Sequence, residues 1–211
     1  MKIFKRLKRG AKAAMSAIRE PVQIQDYIQS QFHTFMVSEK RKLMLTGVRY
    51  YEIDNDIINR KKYRYDKATG KRVEDDSRAN NKLPHGMYKN MVDEKISYTL
   101  SKEYTLTCED KKYLAKVQSA LGKKFSYKLL QLGYEASNKG TGWLHPYINE
   151  QGDLQFMICP AEQIIPEWED NSHESLKSIV YFYDEAYREN GEDKIRTHME
   201  YWTADGMTCY T

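Results

Sequence analysis

The sequence has few cysteines, and they lack the spacing of a disulfide framework or a zinc site. Cys108, Cys159 and Cys209 are odd in number and far apart along the 211 residues. Such frameworks and sites use paired cysteines at short intervals, so the pattern predicts a protein of a reducing environment. No stretch of apolar residues approaches the roughly eighteen in a row that a membrane-spanning helix needs.

Sequence motifs of the common enzyme classes are missing as well. None of the five histidines forms a His-Glu-x-x-His pair, and no Gly-x-Ser-x-Gly turn is present. Gly140-Thr-Gly142 precedes a predicted strand, whereas phosphate-binding loops follow a strand and open a helix. Asp93, Glu94 and Lys95 resemble an acidic nuclease cluster. Neighbouring residues on a helix point about 100° apart, however, so these side chains cannot share one metal ion. We therefore predict no catalytic residue, no metal site, no cofactor and no small-molecule substrate.

Charge is abundant but unevenly distributed along the chain. Charged residues make up 30% of the sequence, and the net charge is +4. Basic residues predominate up to Trp143, and acidic residues predominate from His145 onward. This polarity favours contact between unlike surfaces, either of neighbouring subunits or of protein and nucleic acid. Two independently solvated faces are an equally good interpretation.

Hydrophobic periodicity predicts an α+β fold, with N-terminal helices followed by antiparallel β-hairpins. Residues 1–20 are predicted to form a basic amphipathic helix that binds an anionic membrane, nucleic acid or a partner, or stays a frayed terminus. Residues 21–138 form a mainly helical part with an exposed loop at 60–82, and residues 139–211 form an antiparallel β part. Within the helical part, we predict helices at 22–45, 87–101, 111–121 and 125–138, with Gly47 ending the first, and a short strand at 103–108.

The β part shows two hairpin signals. The strands at 143–148 and 154–158 are separated by a turn in which Gly152 supplies a positive φ. Residues 178–183 and 195–203 are predicted to be two further strands. A turn at 203–206 then leads into a returning strand at 207–211.

Two basic clusters are the best candidates for contact with nucleic acid or with a neighbouring subunit. In the second cluster Tyr63 and Tyr65 alternate with cations, a pattern able to pair phosphates and stack bases. Runs of charge are also typical of solvated faces, and this alternative stays open. The candidate residues are Lys40, Arg41, Lys42, Arg60, Lys61, Lys62 and Arg64.

Several segments, in this order and spacing, resemble the N-terminal half of SPP1-type bacteriophage portal proteins. The first runs from Lys42 through Tyr50-Tyr51 to Arg60, and the second covers residues 80–106. Further segments cover residues 135–156, 160–166 and 179–183, so the resemblance extends over residues 22–205. Each piece alone is a weak pattern, and their common order makes the resemblance specific.

The resemblance implies a structural role without enzymatic activity. The chain would be the wing-like region of a portal, truncated before the stem and clip. It would join a homo-oligomeric ring, typically a dodecamer, at one vertex of the virion, after assembly in the host cytoplasm. Double-stranded DNA would pass through this ring during packaging and ejection. The implied partners are the terminase, the head-completion or adaptor proteins, and the capsid or scaffold proteins.

A ring that lets DNA slide should not hold phosphates tightly. We therefore expect both basic clusters on the outside of the ring or at subunit contacts. Two other functions remain open on the sequence: a nucleic-acid-binding module of mobile-element origin, and a peripheral membrane protein anchored by helix 1–20.

Overall fold

The computed structural model describes residues 21–75 and 77–210, with side chains from Ile24 onward. The basic segment predicted at residues 1–20 lies outside the described part of the chain. Helices and antiparallel sheets are both present, which confirms the α+β class. The chain divides into two compact units. The first combines the described residues up to Arg41 with the segment from Gln163 onward, and the second runs from Lys42 to Glu162. The predicted three-part division at residues 20 and 138 stays a prediction.

The described residues contain five α-helices. They are α1 (Pro21–Met36), α2 (Glu39–Tyr51), α3 (Met87–Leu100), α4 (Lys111–Leu121) and α5 (Phe125–Lys139). Short 3₁₀ turns occur at Asp56–Asn59 and Ala161–Gln163. The helices predicted at 87–101, 111–121 and 125–138 are confirmed to within one residue.

The single helix predicted over residues 22–45 is wrong, because the chain breaks between α1 and α2 at Val37 and Ser38. The Ser38 hydroxyl donates to the carbonyl of Phe35 at 2.7 Å and accepts from the amide of Arg41 at 3.2 Å. One side chain therefore closes the first helix and caps the second. Because apolar residues continue at helical spacing on both sides, periodicity alone hides this break.

Gly47 was predicted to end a helix, and this is wrong as well, because it lies inside α2. A Cβ atom at this position would be 2.0 Å from the backbone oxygen of Asn138 on α5. The glycine is therefore required by the close approach of two backbones rather than by a positive φ.

The second unit contains two short sheets besides its helices. Strands β1 (Tyr63–Tyr65) and β2 (Arg72–Glu74) form a hairpin within the predicted exposed loop. Strands β3 (Trp143–Ile148) and β4 (Leu154–Cys159) form the predicted hairpin, and Gly152 adopts a φ of 84° as expected. Helix α3 packs on α5 and buries Val92 and Ile96.

The strand predicted at residues 103–108 is absent, and this segment has no regular structure. The Tyr104 ring instead packs edge-on against Phe125, with centroids 5.6 Å apart. A side-chain anchor thus holds the segment where the sequence suggested sheet pairing. The alternating apolar residues of this segment therefore reflect side-chain packing and not a ladder of backbone hydrogen bonds.

The first unit is a four-stranded antiparallel sheet covered on one face by α1. Its strands, in spatial order, are β5 (Ile164–Trp168), β6 (Leu176–Glu189), β7 (Glu192–Thr203) and β8 (Gly206–Tyr210). Ile28 and Phe35 of α1 are buried, and the Phe32 ring meets Phe182 edge-on at 4.9 Å. This aromatic contact attaches the helix to the sheet.

Strands β6 and β7 are longer than predicted, because a tight turn that the sequence reasoning missed joins them. Asn190 and Gly191 have φ values of 53° and 85°. An Asn-Gly pair is the strongest short hairpin signal, since both central residues of a type I′ turn need a positive φ. The predicted returning strand after residue 206 is confirmed as β8, and β5 was not predicted.

Replacing Gly47 by alanine should destabilise the protein. Alanine favours a helix over glycine by about 1 kcal/mol, but the new Cβ would meet a backbone oxygen that cannot rotate away. We expect a net loss of about 1–3 kcal/mol in the free energy of unfolding, as for an overpacked core, measured by urea denaturation.

Gly133→Ala is the matched control on α5. There the nearest atom to the added Cβ is the mobile Cδ1 end of Leu100, so the loss should be smaller. Equal midpoints for the Gly47→Ala variant and the unaltered protein would contradict the close approach of α2 and α5.

Candidate functional site

The second basic cluster lies on the hairpin of β1 and β2 and on the chain entering it. Arg60, Lys61, Lys62 and Arg64 line one open groove of about 630 Å³, together with Arg72 from the opposite strand. The antiparallel register pairs Arg64 with Val73. The structure therefore brings these four predicted contact residues together.

A buried aspartate organises the base of this hairpin. Asp75 accepts hydrogen bonds from the Ser77 amide at 3.2 Å and the Ser77 hydroxyl at 2.6 Å. The Nε atoms of Arg64 and Arg78 lie 3.9 and 3.6 Å from its carboxylate. The Ser77 hydroxyl, chiefly, holds the pKa of Asp75 below its usual range, so the carboxylate stays charged among these cations.

Several cations of the hairpin are engaged within it. Lys61 forms an ion pair with Glu74 at 2.7 Å, and Lys62 donates to the carbonyl of Ala79 at 3.3 Å. The guanidinium of Arg72 lies 3.9 Å from the centre of the Tyr63 ring. Because these contacts are exposed and weak, the side chains can exchange them for another partner at little cost.

The first basic cluster is on a separate element. Lys40, Arg41 and Lys42 lie in the first turn of α2, directly after its Ser38 cap. The amino-terminal end of a helix carries a partial positive charge, so cations there are unfavourable by a few tenths of a kcal/mol each. Glu39, in the same turn, places a carboxylate there and offsets part of this repulsion.

Asp93, the first carboxylate of the nuclease-like cluster, has structural partners. The Tyr51 hydroxyl donates to Asp93 at 2.7 Å, and the Lys89 ammonium donates to Asp93 at 3.0 Å and to Tyr51 at 3.1 Å. The Tyr51 hydrogen bond is the main cause that lowers the pKa of Asp93. Glu94 and Lys95 are exposed. Tyr51, Lys89 and Asp93 together join α2 to α3.

A second set of polar contacts stabilises the turn that follows α2. Arg49 lies 2.6 Å from Asp56, and the Tyr50 hydroxyl donates to the same carboxylate at 2.9 Å. The buried Asn55 accepts from the amide of His85 at 2.8 Å. The tyrosine pair that carries part of the family resemblance therefore has a structural use, because Tyr50 and Tyr51 each anchor one side of the helix end.

Lys139 is the charged side chain that the sequence reasoning missed. Its side chain is only 5% exposed, and its ammonium lies 2.5 Å from Glu135 and 2.7 Å from Glu162. The spacing of Glu135 and Lys139 is the ordinary i,i+4 pairing of a helix. Nothing in the sequence connects Glu162 to them, although it completes a partly buried ion triad at the end of α5.

The first unit holds a comparable polar cluster between helix and sheet. Lys177 donates to Glu167, and the Ser178 hydroxyl donates to the same carboxylate at 2.7 Å. Burial alone would raise the pKa of Glu167, but these hydrogen bonds, with one from Tyr27, outweigh burial and lower it. Tyr27 lies on α1, so the cluster helps to seat that helix.

Within residues 21–75 and 77–210, no three histidine, cysteine or acidic side chains group together in a way that could hold a metal ion. In the same part of the chain, no helix has the length and apolar character to cross a bilayer.

Comparison with known proteins identifies the family. A family model described as phage portal protein, SPP1 Gp6-like, matches residues 37–211. The chain belongs to this family. The match contains both compact units except for the start of the first, and it confirms the resemblance drawn from the ordered segments.

Two curated relatives are both named portal protein. The protein of Bacillus phage SPP1 is 33% identical over 140 residues, which cover 66% of this chain and 28% of the relative. The protein of Clostridium phage phiCD119 is 28% identical over 176 residues, which cover 78% of this chain and 38% of the relative. The chain thus spans about a third of the length of these relatives.

Replacing Lys139 by methionine should destabilise the protein by about 2–3 kcal/mol. Methionine fills a similar volume but leaves the carboxylates of Glu135 and Glu162 without their cation, and breaking a buried pair from one side is costly. The free energy of unfolding from urea denaturation measures the loss.

Lys194→Met is the matched control, since Lys194 pairs with Glu189 at 2.7 Å on an exposed surface. We expect that control to change stability by about 0.5 kcal/mol or less. A Lys139→Met variant as stable as the Lys194→Met variant would show that the triad does not support the fold.

Proposed function

We propose that this chain is the wing-like part of a portal subunit that assembles into a ring, typically a dodecamer, at one vertex of a phage capsid. Phage DNA passes through the ring when it is packaged and when it is ejected. The observation that carries this proposal is the family match over residues 37–211. Two relatives named portal protein support it.

The proposed partners follow from the same role. The ring docks the terminase, the head-completion or adaptor proteins, and the capsid or scaffold proteins, and it belongs to the virion after assembly in the host cytoplasm. The protein is proposed to act mechanically and without catalysis. In support, Asp93, one of the two carboxylates of the nuclease-like cluster, is hydrogen-bonded to Tyr51 and Lys89, which gives it a structural role.

The basic hairpin is proposed to lie on the outside of the ring or at a subunit contact. In support, Lys61 pairs with Glu74 within the hairpin, and this carboxylate lowers the net positive charge that the surface presents to phosphates. Strong attachment to DNA would oppose its movement through a channel. The cluster Lys40, Arg41 and Lys42 is proposed to make contacts of the same kind.

A nucleic-acid-binding module is the second candidate function, because five basic side chains do share one groove at the hairpin. The peripheral-membrane alternative depends on residues 1–20, outside the described part of the chain.

The complete gene product that contains this chain should form closed rings of identical subunits. Head-to-tail contacts between identical copies close into a ring when the rotation between neighbours divides a full turn. Negative-stain electron microscopy should show annular particles, and native mass spectrometry should give the subunit number. A strictly monomeric product at micromolar concentration would contradict the proposal.

The isolated chain should bind duplex DNA only weakly at physiological salt, with a Kd no tighter than about 10⁻⁶ M, as for non-specific binding. Replacing Lys61, Lys62 and Arg64 by serine should weaken that binding no more than replacing the exposed Lys95, Lys102 and Lys111 by serine. Fluorescence anisotropy over a series of salt concentrations measures both. Tight, salt-sensitive binding that only the hairpin substitutions abolish would favour the nucleic-acid module.

A further inference from the structure

A second basic groove, which the sequence reasoning did not single out, lies in the second compact unit. It has a volume of about 790 Å³ and is bordered by the end of α4, the start of α5 and the hairpin of β3 and β4. Four lysines line it, and Asp153 is the acidic residue among its lining. The four are Lys116, Lys123, Lys124 and Lys128. We call this surface the lysine groove.

The floor of the lysine groove is apolar. The rings of Phe125 and Phe156 pack with centroids 4.7 Å apart, and Leu121 adds an aliphatic side chain beside them. At the edge of the groove Ile148 is 64% exposed, so it adds an apolar side chain that a partner can cover. A floor of this kind gains nothing from the phosphates of a DNA duplex. It suits an acidic polypeptide segment that carries an apolar residue.

This chain itself displays such a segment in its first unit. The loop between β5 and β6, residues 169–175, contains Glu169, Asp170 and Glu174 but no lysine or arginine. Directly after it Leu176 is 41% exposed. We call residues 169–176 the acidic loop.

The acidic loop is held in one conformation by its own contacts. Asp170 accepts from the Ser172 hydroxyl at 2.7 Å and from the amides of Glu174 and Ser175 at 3.1 and 2.9 Å. The His173 ring stacks on Trp168, with centroids 5.0 Å apart. A loop ordered in advance loses little conformational entropy when it binds.

We propose that the lysine groove of one subunit receives the acidic loop of a neighbouring copy of the same chain. This inference rests on the proposed ring, and it names one contact that closes it. The contact is heterologous, because groove and loop are different surfaces, and such contacts repeat around a ring. Charge complementarity fixes the register, while Leu176 supplies the apolar anchor for the phenylalanine floor.

The test uses charge reversal in the complete gene product. The groove variant carries Lys123→Glu and Lys124→Glu, and the loop variant carries Glu169→Lys and Glu174→Lys. Each variant alone places like charges at every contact. The ring should therefore associate about tenfold more weakly or worse, as measured by native mass spectrometry and mass photometry.

Mixing the two variants in equal amounts should restore rings. In an alternating ring, the reversed groove faces the reversed loop at one contact, and the unaltered groove faces the unaltered loop at the next. A contact made within one chain would not be rescued in this way, so the mixture identifies contact between copies. Lys95→Glu with Lys102→Glu is the matched control, and it should leave rings intact.

The remaining outcomes separate the two proposals. If the unaltered protein forms no ring, the proposed function fails and this contact fails with it. If rings form and both variants keep them, the contact is wrong while the proposed function stands. Loss of rings without rescue by mixing also overturns the contact. So does a groove variant that keeps its rings but loses DNA binding, because the groove would then bind nucleic acid.

Discussion

The close packing around α5 is the constraint on which the second compact unit depends. Its backbone at Asn138 leaves no room for a side chain at Gly47, and a Cβ at Gly133 would lie 2.4 Å from the Cδ1 atom of Leu100. At the carboxyl end of the helix, the Lys139 ammonium lies 2.7 Å from Glu162 in the 3₁₀ turn that follows β4. Steric fit thus sets the distances between the helices. The buried Lys139 ammonium holds the 3₁₀ turn with Glu162 at the end of α5.

Two kinds of charged cluster have different physical roles in this molecule. Around Lys139 and around Asp93, the charged groups pair with one another over short distances. These contacts join a helix to a neighbouring element. On the β1–β2 hairpin and in the lysine groove, most of the cations are exposed, and they lie beside aromatic side chains. The first kind specifies one arrangement of the fold. The second kind leaves charge available for a partner.

Local sequence signals were sufficient wherever an element is stabilised by its own residues. The helices at 87–101, 111–121 and 125–138 were predicted because apolar residues recur in them at helical spacing. The hairpin with Gly152 followed from turn chemistry. Asn190-Gly191 carried the same kind of signal and was overlooked, so the long strands β6 and β7 were predicted too short.

Predictions failed where a contact distant in sequence overrides the local pattern. Residues 103–108 alternate like a strand, yet Tyr104 is held by Phe125. Gly47 resembles a helix cap, yet its use depends on Asn138, ninety-one positions away in the sequence. Local sequence rules cannot predict such a contact, because the free energy that stabilises it comes from burial and fit between distant segments.

The sequence by itself determined the family, since the order of its segments is a linear property, and it determined most helices and hairpins through periodicity and turn residues. It also identified the basic run at Arg60, Lys61, Lys62 and Arg64, because those residues are neighbours along the chain. Only the tertiary structure decided which charges are buried and which line a common groove. Lys139 and Glu162, and Lys116 and Lys128, are brought together by folding. Electrostatic interaction depends on distance through space, which the order of residues alone does not specify.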